Sequence, residues 1–223
     1  MTRTQRRLRV LISAGPTREP IDPIRFLSNY STGYMGVLLT AEALSRGHHV
    51  TVVSGPSTEP FPPGTHRVSV ETSKEMEHAL RQHARSADIV IMAAAVADFR
   101  PTRLVHTKLH RRGRWTLQLR ATPDIIGRLP RRAAQVIAGF SVETSHVIPR
   151  ATRKLYTKRL DLLLAQQVNG SGGPFGRRPV EAWLLERTGK VTRLGRRSKP
   201  VVARVLLDKL ERLWYGQRRR GGV

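Results

Sequence analysis

Short apolar runs alternate with segments of helical periodicity along the first half of the chain. Three continuous runs predict buried strands at residues 8–13, 49–54 and 88–95. Helical periodicity predicts two helices, over residues 33–46 and residues 72–86. Ser31 or Thr32 is placed to cap the first helix, and Thr72 with Glu75 forms a capping box for the second. This alternation is typical of a parallel sheet with helices on its faces.

The second half of the chain is less regular. Shorter runs predict strands at residues 116–120, 136–142 and 161–165, then a hairpin of residues 180–186 and 190–194. Helices are predicted over residues 149–158 and 198–213, and a short helix begins at Pro123 with Thr122 as its cap. We therefore predict a Rossmann-like α/β fold, with a doubly wound, mainly parallel sheet and a C-terminal β-hairpin extension. One domain is expected over residues 8–215, between a basic tail at residues 1–7 and a basic, disordered tail at residues 216–223.

The composition excludes several classes of site. The chain has no cysteine, which excludes disulfides, a thiolate nucleophile and a cysteine-based zinc site. Its 8 histidines show no metal-ligand spacing. No apolar stretch approaches the roughly 18 residues of a membrane-spanning helix, and the run after the basic N-terminus is too short for a signal peptide. We expect a cytoplasmic protein without a membrane span.

A formal net charge of +24 leaves two interpretations open. It is typical of proteins that bind polyanions, either nucleic acids or phosphorylated small molecules. It is also what an arginine-rich proteome produces by drift at surface positions, and the scattered placement of the basic residues favours this interpretation. Only seven of the 40 basic residues are lysine, so each lysine is a candidate for chemistry that needs a compact ammonium group.

Ligands of open α/β sheets bind at the carboxyl ends of the strands, so the strand-to-loop junctions form the candidate site. The first junction lacks a G-x-G-x-x-G motif, and its glycines arrive where the helix opens, at residues 31–36. Backbone N–H groups there suit a phosphate, although a capped, closely packed helix explains the glycines as well. At the third junction, small side chains let a flat ring approach Ala93 and Ala94, and Asp98 is either a ligand acceptor or a loop aspartate.

Several of these segments together resemble the bacterial phosphopantothenate–cysteine ligase family. The longest is Ala-Gly-Pro-Thr-Arg-Glu-Pro-Ile-Asp-Pro-Ile-Arg-Phe-Leu-Ser-Asn at residues 14–29, followed by Ser-Thr-Gly-Tyr-Met-Gly at residues 31–36. Further matches lie at residues 93–98, 122–126, 139–144 and 160–162. The matches run in the family's order from about residue 8 to residue 213.

The resemblance implies a ligase of coenzyme A biosynthesis. In this family the carboxylate of 4′-phosphopantothenate attacks the α-phosphate of CTP, pyrophosphate leaves, and the amine of L-cysteine displaces CMP from the acyl-cytidylate. Mg²⁺ is expected with the triphosphate, held mainly by phosphate oxygens and not by dedicated protein ligands. Human-type relatives use ATP, so the nucleotide preference stays open.

The resemblance also assigns residues to each ligand. The implied nucleotide-binding residues are Met92, Ala93, Ala94, Asp98, Lys108, Pro123, Asp124, Ile125, Ile126, Phe140, Lys154 and Lys158. The implied substrate-binding residues are Gly15, Arg25, Asn29, Ser31, Gly33 and Gly36. Asn29 and Lys108 are the implied catalytic residues. Without the family match, Lys154 and Lys158 would be interpreted as a solvated helix face.

The chain departs from the family pattern at three places. Tyr34 stands where the family usually has a lysine, Gln166-Gln167 replaces Asn-Asp, and Arg177-Arg178 replaces Ser-Asp. These departures keep a second hypothesis open, a diverged relative that binds nucleotide or nucleic acid without catalysis. Retention of Asn29 together with Lys108, Lys154 and Lys158 favours the enzyme.

The resemblance implies partners as well. We expect CTP, 4′-phosphopantothenate and L-cysteine as ligands, a homodimer with the site near the subunit contact, and no nucleic acid. Because the resemblance begins at residue 8, the flavin-dependent decarboxylase fused to bacterial relatives is expected to be a separate protein, and no flavin is expected here.

Overall fold

The computed structural model describes residues 6–111, 113–168 and 173–220, with the side chains of residues 219 and 220 excepted. Its strands are β1 (Arg9–Ala14), β2 (Arg18–Pro20), β3 (Phe26–Ser28), β4 (His49–Ser54), β5 (His66–Ser69), β6 (Ile89–Met92), β7 (Phe99–Pro101), β8 (Leu119–Ala121), β9 (Val136–Glu143), β10 (Leu162–Gln167), β11 (Val180–Glu186) and β12 (Val191–Arg197). Its helices are α1 (Tyr34–Ser45), α2 (Ser73–Ala84), α3 (Val147–Thr157) and α4 (Lys199–Arg220), with a short 3₁₀ helix at Ile126–Arg128.

Eight strands form one sheet in the order β12-β11-β10-β9-β6-β1-β4-β5. The six strands from β10 to β5 are parallel, and β11 and β12 add an antiparallel hairpin at one edge. After β1 the chain goes to β4 on one side, and it returns to β6 on the other. This reversal beside β1 is the topological switch point at which ligands of such sheets bind.

Helices cover both faces of the sheet, because alternate residues of each buried strand point to opposite faces. On one face, Val10 and Ile12 pack with α1 and α4. On the other face, Leu11 and Val53 pack with α2 and α3. The predicted doubly wound α/β fold with its C-terminal hairpin is confirmed.

Most predicted elements are present, with ends shifted by a few residues. The structure adds four strands that the pattern did not predict, among them β5 at the sheet edge and the β2–β3 hairpin inside the proline-containing loop. The strand β7, also unpredicted, pairs with β8, which lies slightly later than residues 116–120. In the described part of the chain, no helix is both long and apolar enough to cross a bilayer.

Two predicted helix caps are wrong. The N-cap of α1 is Gly33 in a left-handed conformation, and the Ser31 and Thr32 hydroxyls accept hydrogen bonds from residues 33 and 34 instead. The Thr122 hydroxyl donates to the Ala97 carbonyl at 2.6 Å and so caps no helix. The Thr72 cap of α2 is confirmed, but the Glu75 carboxylate accepts from the backbone of residue 71 and not of residue 72.

The predicted disordered C-terminal tail is also wrong for residues 216–220, which continue α4 to Arg220. Nothing in the run Gln-Arg-Arg-Arg breaks a helix, since arginine has a high helix propensity. Residues 1–5 and 221–223, the remaining parts of the two predicted tails, lie outside the described residues.

The start of α1 lies directly on β1. Gly36 is buried, and a Cβ at that position would overlap with the Cβ of Ala14 and lie 3.2 Å from its Cα. A side chain at residue 36 would therefore push the helix away from the strand whose carboxyl end it overlies.

We predict that Gly36→Ala lowers the free energy of unfolding by about 1–3 kcal/mol, because the added methyl overpacks the α1–β1 contact. Chemical denaturation followed by circular dichroism measures this change. Gly216→Ala is the matched control, since a Cβ there meets nothing within 4 Å. The control should be neutral or stabilising by about 0.5–1 kcal/mol. Equal effects of the two substitutions would contradict the close contact.

Candidate functional site

A cavity of about 740 Å³ opens at the carboxyl edge of the parallel strands, beside the switch point. It is bounded by the loop after β6, the ends of β9 and β10, and the first turn of α1. Thirteen of the residues that the resemblance implied line it: Asn29, Ser31, Met92, Ala93, Ala94, Asp98, Pro123, Asp124, Ile125, Ile126, Phe140, Lys154 and Lys158. The sequence therefore brings its separate motifs to one cavity.

The loop after β6 is held in place by backbone hydrogen bonds to the loop after β1. The Ala95 N–H donates to the Gly15 carbonyl at 2.9 Å, and the Thr17 N–H donates to the Ala95 carbonyl at 3.2 Å. The buried Thr17 hydroxyl accepts from the Ala97 N–H at 2.9 Å. These bonds fix the small residues along one side of the cavity and leave room for a ligand above them.

The Asn29 side chain reaches the same loop. Its amide donates to the Ala95 carbonyl at 2.9 Å, so the side chain is anchored across 66 positions of sequence. An anchored amide keeps a second N–H and a carbonyl oxygen for a ligand. The position is suited to recognising a carbonyl or phosphate oxygen.

One cationic wall of the cavity comes from α3. The Lys154 ammonium donates to the Phe140 carbonyl at 2.7 Å. Burial lowers the pKa of Lys154, while Glu143 and Asp98 oppose that effect by their negative charge. One turn later, Lys158 forms an ion pair with Asp124 at 2.6 Å. The two ammonium groups thus contact the backbone of Phe140 and the loop after β8.

Asp124 is fixed between two partners. Besides the Lys158 ion pair, it accepts a hydrogen bond from the Gly127 N–H at 3.1 Å. Partial burial raises the pKa of Asp124, but the Lys158 hydrogen bond, the Gly127 hydrogen bond and nearby positive charge outweigh it, and the net pKa is lowered. The Asp124 carboxylate is therefore negatively charged near neutral pH.

A second cationic wall comes from the opposite face of the sheet. Lys199, at the start of α4, is 4% exposed and donates to the Gly176 carbonyl at 2.6 Å. Its ammonium lies 6.0 Å from the centroid of the Tyr34 ring, and the guanidinium of Arg177 lies 5.0 Å from the same ring. Burial lowers the pKa of Lys199 to about 8, while the charge of Glu59 opposes the shift.

Five residues of the implied site do not line the cavity: Gly15, Arg25, Gly33, Gly36 and Lys108. The three glycines shape the backbone beneath it, and Gly15 and Gly33 have the positive φ values of 72° and 84° that disfavour a side chain. Arg25 forms an ion pair with the buried Asp22, and this partner holds the pKa of the aspartate well below its usual range. Lys108 is exposed on a loop that Asp22 and Arg25 hold through hydrogen bonds to Leu109.

Across residues 6–111, 113–168 and 173–220, no three His, Asp or Glu side chains come together as a metal site. The cavity carries the carboxylates of Asp98 and Asp124, which are oxygen ligands of the kind that Mg²⁺ accepts. Two carboxylates alone do not complete the octahedral ligand shell of this ion.

Several lining residues were not predicted from the sequence: Tyr34, Phe99, Val142, Phe175, Gly176 and Lys199. Tyr34 and the segment at residues 175–178 were noted only as departures from a family pattern. Lys199 carried one signal, its membership of the seven lysines in an arginine-rich chain.

Comparison with known proteins gives one matching family. The model of the DNA/pantothenate metabolism flavoprotein C-terminal domain matches residues 5–213. The chain is 36% identical over 210 residues to the coenzyme A biosynthesis bifunctional protein CoaBC of Escherichia coli strain K12, covering 91% of this chain and 51% of that protein. It is 36% identical over 206 residues to a cysteine/cysteine sulfinic acid decarboxylase of an unknown prokaryotic organism, covering 91% of this chain and 57% of that protein.

A solved structure agrees over nearly the whole chain. The crystal structure of the C-terminal domain of a CoaBC protein has a TM-score of 0.79 and 34% identity, and the match covers 94% of this chain and 96% of that one. This chain thus spans about half the length of the two curated relatives and corresponds to the C-terminal part of CoaBC.

We predict that Lys158→Met raises the pKa of the Asp124 carboxyl, because it removes the ion pair and leaves partial burial opposed only by weaker interactions. Carboxyl-carbon NMR titration of the two proteins measures the shift. Asp124 has a lowered pKa in the wild type, so its ion pair contributes stability above the unfolded-state pKa and loses it as the pH falls through the folded-state pKa. The exposed pair should contribute less than about 1 kcal/mol. Lys190→Met, on the exposed hairpin turn, is the control and should leave the titration unchanged.

Proposed function

Because this chain belongs to the family of DNA/pantothenate metabolism flavoprotein C-terminal domains, we propose that it joins 4′-phosphopantothenate to L-cysteine at the expense of CTP. The observation that carries the proposal is the cavity in which Asn29, Asp98 and two lysines of α3 meet at the switch point. These residues come from three separate segments of the chain, and each has the chemistry that its part of the reaction needs.

The first step forms an acyl-cytidylate. A carboxylate oxygen of phosphopantothenate attacks the α-phosphorus of CTP, the bond to the bridging oxygen breaks, and pyrophosphate leaves with the electron pair. Two anions must approach each other, so the step depends on positive charge at the phosphates and on alignment of the reacting groups. In the proposal, Lys154 and Lys158 supply the charge, and the anchored Asn29 amide orients the acyl-phosphate.

The second step forms the amide bond. The cysteine amine attacks the activated carbonyl carbon, CMP leaves with the bridging oxygen, and the nitrogen loses one proton. A mixed anhydride hydrolyses readily, so the site must keep water away from it. Apolar walls at Ile125, Ile126 and Phe140 fit this requirement.

Magnesium fits the proposal as a companion of the triphosphate. It would neutralise phosphate charge when bound, and Asp98 is the lining carboxylate without an ion-pair partner among the described residues. The base of the nucleotide is proposed to lie against Phe140 and the loop at residues 122–126.

Lys108 has the least direct place in the proposal. Its loop is tied to Asp22 and Arg25 and not to the cavity. A role in binding the nucleotide requires the loop to leave this contact, or a second copy of the chain to supply the lysine. The homodimer expected from the resemblance remains part of the proposal for that reason.

We predict that the purified protein releases pyrophosphate from CTP when phosphopantothenate and Mg²⁺ are present, with release becoming multi-turnover once L-cysteine is added. ATP should support a lower rate. A coupled pyrophosphate assay with each nucleotide, with and without cysteine, measures this. If the folded protein releases no pyrophosphate with either nucleotide, the ligase proposal is wrong. A single turnover unaffected by cysteine would mean that only activation survives.

Asn29→Ala is expected to lower kcat by about 10²–10³-fold. This is the usual effect of removing one hydrogen-bond donor to the charge that develops in the transition state. Lys154→Met should weaken the apparent affinity for CTP and lower kcat, because it removes a buried positive charge beside the nucleotide. Lys190→Met is the matched control and should behave like the wild type. If both cavity variants kept wild-type kinetics, the assignment of this cavity would be incorrect.

Lys108→Ala tests whether the exposed loop takes part. If the loop or a second copy brings this lysine to the nucleotide, the substitution should raise the KM for CTP by about tenfold or more, since a charged hydrogen bond is lost. Wild-type kinetics would exclude Lys108 from the site and leave its loop with a structural role. Sedimentation of the wild-type protein at assay concentration shows whether a second copy is present.

A further inference from the structure

The cavity has positive charge on both sides of the sheet. Lys154 lies on α3 and Lys158 is its C-cap, and α3 packs on one face. Lys199 belongs to α4, which packs with α1 on the other face, and its side chain lines the same cavity. The proposed function uses only the first pair, so the second wall has no assigned role.

Lys199 has an unusual environment for a lysine. It is 4% exposed, although a buried ammonium is costly unless it is paired or hydrogen-bonded. Within the part of the chain that the structure describes, its Nζ forms one hydrogen bond, to the Gly176 carbonyl, and no ion pair. An ammonium has three N–H donors, so two remain for a group inside the cavity.

The neighbours of Lys199 do not neutralise it. Arg177 lies over the same Tyr34 ring, but its guanidinium is engaged with Glu59 at 3.0 Å. The face of the tyrosine ring attracts a cation without cancelling its charge. A positive charge is thus retained next to the first turn of α1, whose backbone N–H groups also favour an anion.

Tyr34 occupies the position at which the resembled family usually has a lysine. The structure places the Lys199 ammonium 6.0 Å from the centroid of its ring. The positive charge that Tyr34 lacks is therefore present nearby on Lys199, which lies 165 positions later in the sequence. The two residues together supply a cation at this end of the cavity.

We propose that Lys199 binds a phosphate oxygen of a substrate at the α1 wall of the cavity, in place of the missing lysine at position 34. The inference rests on the proposed function and deepens it. The shared chemistry is a phosphate group, and two substrates carry one: the nucleotide, in its triphosphate, and phosphopantothenate, at its end remote from the reacting carboxylate.

Two substitutions separate charge from a purely structural role. Lys199→Met removes both the charge and the hydrogen bond that holds Gly176. Lys199→Gln removes the charge, but its amide can still donate to the Gly176 carbonyl. Lys190→Met is the matched control, because Lys190 is exposed on the hairpin turn and does not line the cavity. Thermal unfolding of each variant establishes that it is folded.

The measurement is isothermal titration of each protein with Mg·CTP and, separately, with 4′-phosphopantothenate. We expect Lys199→Met and Lys199→Gln to weaken the binding of one of the two compounds by about 10- to 100-fold, as for loss of a hydrogen bond to a charged group. Weakened CTP binding would show that Lys199 contacts the triphosphate of the nucleotide. Weakened phosphopantothenate binding assigns the substrate's own phosphate.

Two other results overturn the inference in distinguishable ways. If the wild type binds both compounds and Lys199→Gln binds them equally well, the role of Lys199 is only structural, through its hydrogen bond to Gly176. The ligase proposal is then unaffected. If the wild type binds neither compound, both proposals fail. If one of the two variants does not fold, the other one decides the outcome. Lys199→Gln keeps a hydrogen-bond donor for the Gly176 carbonyl, and Lys199→Met keeps the apolar volume of the lysine side chain.

The pH dependence of binding gives an independent readout. Burial keeps the Lys199 pKa near 8, with Glu59 opposing the shift, and Arg177 and Tyr34 face the same ammonium. Raising the pH from about 7 to about 9.5 should deprotonate this lysine and weaken binding of the assigned compound in the wild type. The loss should be smaller in Lys199→Gln, which has no charge to lose. Parallel pH profiles for the two proteins would contradict a charged contact.

Discussion

The pairing of β1 with β4 on one side and β6 on the other is the constraint on which the rest of the structure depends. It fixes the reversal of strand order, and the loops after β1 and β6 then lie side by side and bond to each other through Gly15, Thr17 and Ala95. Close contact of Gly36 with Ala14 brings the first turn of α1 over the same edge. The cavity lies where these loops, placed side by side by the strand pairing, meet the first turn of α1.

Positive charge enters the cavity from both layers of helices, and this arrangement fits the phosphorylated ligands proposed for it. The α3 lysines and Lys199 approach from opposite faces, and apolar residues of the loops fill the space between them. Each ammonium is held by a backbone carbonyl or a carboxylate before any ligand arrives. Such preorganisation reduces the reorganisation needed when charge moves during a reaction.

The sequence predicts the central fold well because buried parallel strands are continuous apolar runs. It fails where burial does not decide the structure: β5 has the polar sequence His-Arg-Val-Ser and is a strand only because β4 offers it partners. Thr122 looks like a cap, but a carbonyl brought near by tertiary structure takes its hydroxyl. Among site residues, motif matches found Asn29 and the α3 lysines. No spacing in the chain could join Lys199 to Tyr34, because only the packing of α4 on α1 brings them together.

The edges of the sheet give the excess of arginine a physical meaning. The outer strand β12 is largely exposed and carries Arg196 and Arg197, and β5 at the other edge carries Arg67. An open edge strand offers unpaired backbone groups to any other extended chain, and like charges on both strands oppose that pairing. Part of the net charge of +24 therefore protects the protein from edge-to-edge aggregation, a protection that should weaken as salt screens the arginines.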